Sequence, residues 1–166
     1  MINGANLIME KRLNYGEAEP GARKALLNLE SYVEHSGLEL SLLDLVKIRA
    51  SQLNGCAYCL DMHIKDARAS GESEERLYML SAWHEASCYT PRERAAIAWS
   101  EAITLIAVDH VPDAVYQEAL KHFDETELVK LTMAVIAINS WNRIGVAFKL
   151  QPGLYQSKRK PETVAG

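Results

Sequence analysis

Apolar residues in this 166-residue chain recur at three- and four-residue spacing between regularly placed helix start and stop signals, with no strand-like alternation of useful length. That periodicity predicts an all-α fold, a helical bundle. Pro20 suits a first helical turn, Leu26, Leu29 and Val33 form one stripe, and Gly37 supplies a left-handed stop. Ser41 is expected to open a helix running through Leu45, Val46 and Ile48 to the turn dipeptide Asn54-Gly55. The next begins near Cys56 and ends at Ser70-Gly71. Ser73 with Glu74 and Glu75 reads as a cap with an acidic first turn, leading into Leu77, Leu80, Ala82 and Trp83. Thr90-Pro91-Arg92-Glu93 reads as a capping box whose helix reaches Ala107. A short helix from Pro112 to about Phe123 and a long one from about Thr126 to just before Pro152 complete the pattern.

These boundaries divide the chain into an N-terminal arm (1–20), a single helical domain (21–153) and a polar, flexible C-terminal tail (154–166). The last long helix is apolar around most of its circumference, so it is expected to be central or covered by a second subunit. Self-association follows as an expectation.

Charge and hydropathy exclude several function classes. The net charge is −4, and the one basic cluster, Lys158-Arg159-Lys160, sits in the expected tail, which argues against a nucleic-acid partner. The most apolar stretch, Leu128 to Leu150, is interrupted by Lys130, Asn139, Ser140, Asn142 and Arg143, a combination that a membrane span rarely carries. Glu10, Lys11, Arg12, Glu17 and Glu19 break up the first twenty residues, which therefore lack the core of an export signal. A cytoplasmic location is the expectation. Among three cysteines, two are separated only by Ala57 and Tyr58, and in a reducing compartment such a pair points to redox or metal work.

Cys56, Cys59 and His63 lie at i, i+3 and i+7 and share one face of a helix. Cys59 and His63 are one turn apart, so Cys59 is the expected nucleophile with His63 as its acid and base, and Cys56 the resolving thiol. A free thiol titrates near ~8.5; a helix N-terminus and a cation can lower this by roughly two units, raising the thiolate fraction about 25-fold. A Brønsted slope of ~0.4–0.5 takes back about eightfold of that, so most rate enhancement must come from positioning and leaving-group protonation. The rival reading is a zinc site with His84 or Cys88 as fourth ligand, in a non-catalytic metal-binding or oligomeric protein; the pattern lacks the clear second ligand pair that such a site needs. Neither a metal nor a cofactor is expected.

Asp44, twelve residues before Cys56, faces the same site if the Asn54-Gly55 turn folds its helix back; alternatively Ser41-Leu42-Leu43-Asp44 is a capping box. Tyr58 could donate a hydrogen bond or simply pack. Trp141, Asn142 and Arg143 either line the pocket or form a buried structural network. His35, His84, His110 and His122 stand singly, as surface residues do.

The segment Leu45 to His63 resembles the core motif of the alkyl hydroperoxidase D-like proteins of the carboxymuconolactone decarboxylase superfamily. Arg76-Leu-Tyr-Met-Leu-Ser-Ala-Trp83, Glu93-Arg-Ala-Ala-Ile-Ala-Trp99 and Ile138-Asn-Ser-Trp-Asn-Arg143 extend the resemblance over about Arg12 to Gly153. It implies a helical bundle assembling as trimers or hexamers, a thiol-dependent peroxidase and disulfide reductase acting on alkyl or hydrogen peroxides in antioxidant defence, and a dithiol or lipoyl-type electron donor. It also implies that Cys59 attacks the peroxide, Cys56 resolves, and His63 belongs to a proton relay beginning at Asp44. In this chain Asp44 replaces the family's glutamate, and Tyr58 stands where well-studied members carry a histidine between the cysteines.

Overall fold

A computed structural model of the protein describes residues 10 and 12–160. The rest of the expected arm and tail, 1–9, 11 and 161–166, lies outside the described residues. Among those described, regular structure is helical throughout: α1 (Tyr15–Ala18), α2 (Pro20–Glu34), α3 (Leu40–Asn54), α4 (Ala57–Ala69), α5 (Glu74–Met79) with a 3-10 turn over Leu80–Ala82, α6 (Pro91–Thr104), α7 (Ile106–Asp109), α8 (Asp113–Ala119) and α9 (Glu125–Ala147).

Local chemistry accounts for most boundaries. Pro20 occupies the first turn of α2, Ser73 caps α5 by accepting the Arg76 N–H, and Thr90 with Glu93 forms the expected reciprocal capping box. A second capping box, Asp124 with Glu127, starts α9 and had no counterpart in the periodicity reading. Two expected boundaries shift. The helix after Pro91 ends at Thr104, three residues early, and α3 starts at Leu40, with Ser41 making no cap.

α3 is the centre of the bundle and packs against α4, α6 and α9. Nine of its fifteen residues are buried, so it feeds three apolar clusters at once. Leu42, Leu43 and Val46 join Val33, Phe123 and Leu131; Leu45 and Ile48 join Leu77, Leu80, Trp83 and Ile97; Ala50 joins Cys56, Cys59 and Ile138. Burying each leucine or isoleucine contributes about 1.5–3 kcal/mol. The final helix, expected to be central or covered by a second subunit, packs as α9 against α2, α3, α4 and α6, and keeps Val129 and Ile136, two turns apart, 61% and 42% exposed.

A polar seam fixes the register of α9 against α3. Asn54 Nδ2 donates to Asn139 Oδ1 (3.0 Å) and Asn142 Oδ1 (2.9 Å), and Asn142 Nδ2 donates to Ser51 Oγ (3.0 Å). Asn139 Nδ2 reaches Thr104 Oγ1 on α6 at 2.9 Å, and Arg143 Nη1 donates to Asn139 Oδ1 at 3.0 Å. Asn142 and Arg143 are therefore structural, whereas Trp141 turns elsewhere. Asn142→Ala removes two hydrogen bonds, while Asn54 keeps its bond to Asn139 and Ser51 its bond to the Lys47 carbonyl, so stability is expected to fall by about 1–3 kcal/mol in urea unfolding, without change in helical content.

Candidate functional site

The site is assembled where α3 ends and α4 begins. Gly55 closes α3 at φ 65°, a left-handed value that glycine adopts without strain. The chain then reverses into Cys56, the N-cap of α4, whose Sγ accepts the Cys59 N–H at 3.3 Å. Cys56 and Cys59 are joined as a disulfide, and both residues are buried. Against the sulfurs lies Gly145 of α9, where a Cβ would stand 2.8 Å from Cys56 Sγ and 3.4 Å from Cys59 Sγ. Only a glycine lets α9 approach the disulfide this closely.

Cys59 and His63 line the same cavity of 330 Å³ together with Tyr58, Met62 and Trp141. Trp141 donates from Nε1 to Glu30 Oε2 at 3.2 Å. Cys56 lines a second pocket of 510 Å³ with Gly145 and Lys149, and Tyr58 and Leu150 border both spaces. His63 is 5% exposed, and its Nδ1 is buried with no hydrogen-bond partner among the described residues. Burial, reinforced by the nearby charges of Lys47 and Arg159, lowers its pKa to about 3, so the imidazole is neutral beside the disulfide.

Two buried ion pairs flank the cavity. The Lys47 ammonium, 2% exposed within an otherwise apolar stretch of α3, is held by Glu30 of α2. Asp44 is paired with Arg159, whose Nη1 donates to Oδ1 at 2.8 Å and Oδ2 at 2.7 Å. Burial nevertheless pushes the Asp44 carboxyl upward against the opposing pull of Arg159 and Lys47. The capping-box alternative for Asp44 is overturned, because α3 has no side-chain cap and the carboxylate faces Arg159. Asp44 is bonded to Arg159 and not to His63; both groups feel the Arg159 charge.

Residues 154–159 of the expected tail, with Gly153 before them, are bonded to α3 and α4. Gly153 N donates to Asp61 (2.9 Å), Lys65 Nζ donates to the Tyr155 carbonyl (3.0 Å), and Tyr155 Oη and Ser157 Oγ both donate to Asp66 Oδ1 (2.8 and 2.6 Å). This strap places Tyr155 and Arg159 in the wall of the Cys59 cavity. Its polarity signalled a solvated tail; what it matches is the row of carboxylates on α3 and α4.

Of the residues the sequence singled out, Cys59 and His63 line this cavity, Cys56 is bonded to Cys59, and Asp44 stands behind Arg159; Glu30, Lys47, Asp66 and Arg159, which the sequence did not single out for the site, complete its polar lining. Lys47, a lone cation amid Leu42–Ile48, was the available signal for a buried pair. His84, 70% exposed and stacked on Trp83, and Cys88, in the cluster around Leu77 and Trp83, lie outside this cavity. Among the described residues no group of three histidine, cysteine or acidic side chains is placed to hold a metal.

Fold and site together define an all-helical protein built around a Cys-x-x-Cys pair at a helix N-terminus. The chain belongs to the carboxymuconolactone decarboxylase family, whose model matches residues 20–102. It is 45% identical over 139 residues to the uncharacterized protein YdfG of Bacillus subtilis (strain 168), covering 84% of this chain and 95% of that protein. It is also 45% identical to an Agrobacterium tumefaciens protein of unknown function, proposed to be the antioxidant defence protein AhpD, with a TM-score of 0.85 over 88% of this chain and 100% of the other. The debrominase Bmp8 shares the fold at 18% identity and a TM-score of 0.73, over 83% of this chain and 74% of its own.

Two outcomes are expected from this geometry. Gly145→Ala should shift the dithiol–disulfide equilibrium towards the dithiol by about tenfold, read against a dithiothreitol redox couple, because forcing a methyl into packed surroundings costs about 1–3 kcal/mol. His63 binds a proton below about pH 6.5 when unfolded but only below about 3 when folded, so the unfolded state takes up more protons between these values. Stability present at neutral pH is therefore lost as pH falls from 6.5 towards 3, by up to about 5 kcal/mol, and His63→Gln should flatten the urea midpoint over that range.

Proposed function

We propose that the protein is a thiol-dependent peroxidase and disulfide oxidoreductase that reduces alkyl or hydrogen peroxides in antioxidant defence. The observation that carries this reading is the Cys56–Cys59 disulfide at the start of α4, with Cys59 and His63 lining one cavity. In the reduced protein, Cys59 gives its proton to His63, and the thiolate attacks one peroxide oxygen. A sulfur–oxygen bond forms, the oxygen–oxygen bond breaks, and the alcohol or water leaves with the proton that His63 held. Cys56 then attacks the Cys59 sulfenic acid, closing the disulfide and releasing water. A dithiol or lipoyl-type donor reduces the pair again, becoming a disulfide itself.

Neutral His63 beside the disulfide fits this cycle. A thiolate one turn away favours the imidazolium, so charge appears on the ring only while Cys59 is reduced. Lys47 and Arg159 favour the thiolate in the same way. Asp44 is proposed to serve the site through Arg159, in place of a direct relay to His63. Among the described residues no helix is long and apolar enough to cross a membrane, and the proposed setting is the reducing cytoplasm. The exposed Val129 and Ile136 face of α9 supports assembly into a trimer or hexamer.

Reduced protein mixed with tert-butyl hydroperoxide and dithiothreitol provides the test. Cys59→Ser is expected to abolish peroxide consumption, whereas Cys56→Ser should give a single turnover and a sulfenic acid that a dimedone probe captures. Equal consumption by the parent and both variants would falsify the assignment.

A further inference from the structure

The charge that develops when an oxygen–oxygen bond breaks needs a stabilising partner, and the proton that His63 holds is given up in that same step. Arg159 is held by one nitrogen only: Nη1 makes both bonds to Asp44, while Nε and Nη2 have no hydrogen-bond partner among the described residues. The side chain is 23% exposed and lines the cavity that holds Cys59 and His63. By contrast the other buried cation, Lys47, is 2% exposed and bound to Glu30. The backbone under Arg159 is fixed as well, since its N–H donates to Ser157 Oγ (3.2 Å), which is itself bonded to Asp66.

We infer that Arg159, anchored by Asp44 and carried on the strap of residues 153–159, is a catalytic residue whose free Nε and Nη2 donors bind the leaving oxygen of the peroxide. This rests on the peroxidase reading above. As Cys59 attacks the far oxygen, the electron pair of the broken bond moves onto the near oxygen, where a fixed guanidinium stabilises it until the proton from Cys59 arrives by way of His63. Asp44 is a positioning residue: it orients the fork and touches no substrate. The substrates best served are hydroperoxides with basic leaving groups, alkyl hydroperoxides and hydrogen peroxide, because their alkoxide or hydroxide needs the most stabilisation.

The discriminating variable is the leaving group. Single-turnover oxidation of Cys59 by tert-butyl hydroperoxide should fall about a hundredfold in Arg159→Gln, a loss typical of removing an oxyanion donor. With peracetic acid, whose leaving group is a stable carboxylate, the same variant should lose less than about fivefold, and Arg159→Lys should recover part of the first loss only. Asp44→Asn should slow the alkyl hydroperoxide step about tenfold in the parent and not at all in Arg159→Gln, as expected of two residues acting in series. Should Arg159→Gln not fold because Asp44 is left buried and unpaired, Asp44→Asn/Arg159→Gln removes both charges and is measured in its place. Equal losses with both oxidants, or none, would overturn the role of Arg159 while leaving the peroxidase intact; a parent protein inert to every peroxide would instead overturn the reading on which it rests.

Discussion

Everything in the bundle turns on a helix that is buried on most sides and yet carries charge. α3 feeds three apolar clusters, but Asp44, Lys47 and Ser51 are set among its buried residues. A buried charge left alone costs several kcal/mol, so each needs a partner from a neighbouring element. Glu30 of α2 meets Lys47, Arg159 of the C-terminal strap meets Asp44, and Asn142 of α9 meets Ser51. These three pairings fix α2, the strap and α9 along α3, whose C-terminal end leads into the two cysteines.

That arrangement also gives the redox pair its surroundings. The glycine turn delivers Cys56 to the N-cap of α4, and Gly145 allows α9 to close over both sulfurs. Burial, reinforced by the two cations in the cavity wall, keeps His63 neutral beside the disulfide, and in the proposed cycle the same cations favour the thiolate. The same electrostatic field therefore acts in both halves of the proposed cycle, with opposite consequences for ring and sulfur.

The residues a periodicity argument finds are those whose role is local. Cys56, Cys59 and His63 share a helix, and their common face follows from 3.6 residues per turn. Capping at Thr90 and Ser73 is equally local, since it uses only a side chain and the backbone three residues on. Asp44 is harder: its spacing from Ser41 matched a capping box, and only a partner 115 residues away reveals that the carboxylate serves an ion pair. The apolar circumference of the final helix left two outcomes open, a central position or cover by a second subunit; within one chain α9 packs against α2, α3, α4 and α6 and leaves Val129 and Ile136 exposed.

Sequence alone determined the helical class, most helix starts, and the Cys59–His63 pair, because each depends on neighbours within a few residues along the chain. Tertiary structure decided which pocket each cysteine lines, that a polar stretch near the C-terminus is a wall of the site, and that Arg159 and Asp44 belong together. Those outcomes depend on charge matching between segments far apart in the chain, and hydropathy patterning does not record which partner a buried charge will find.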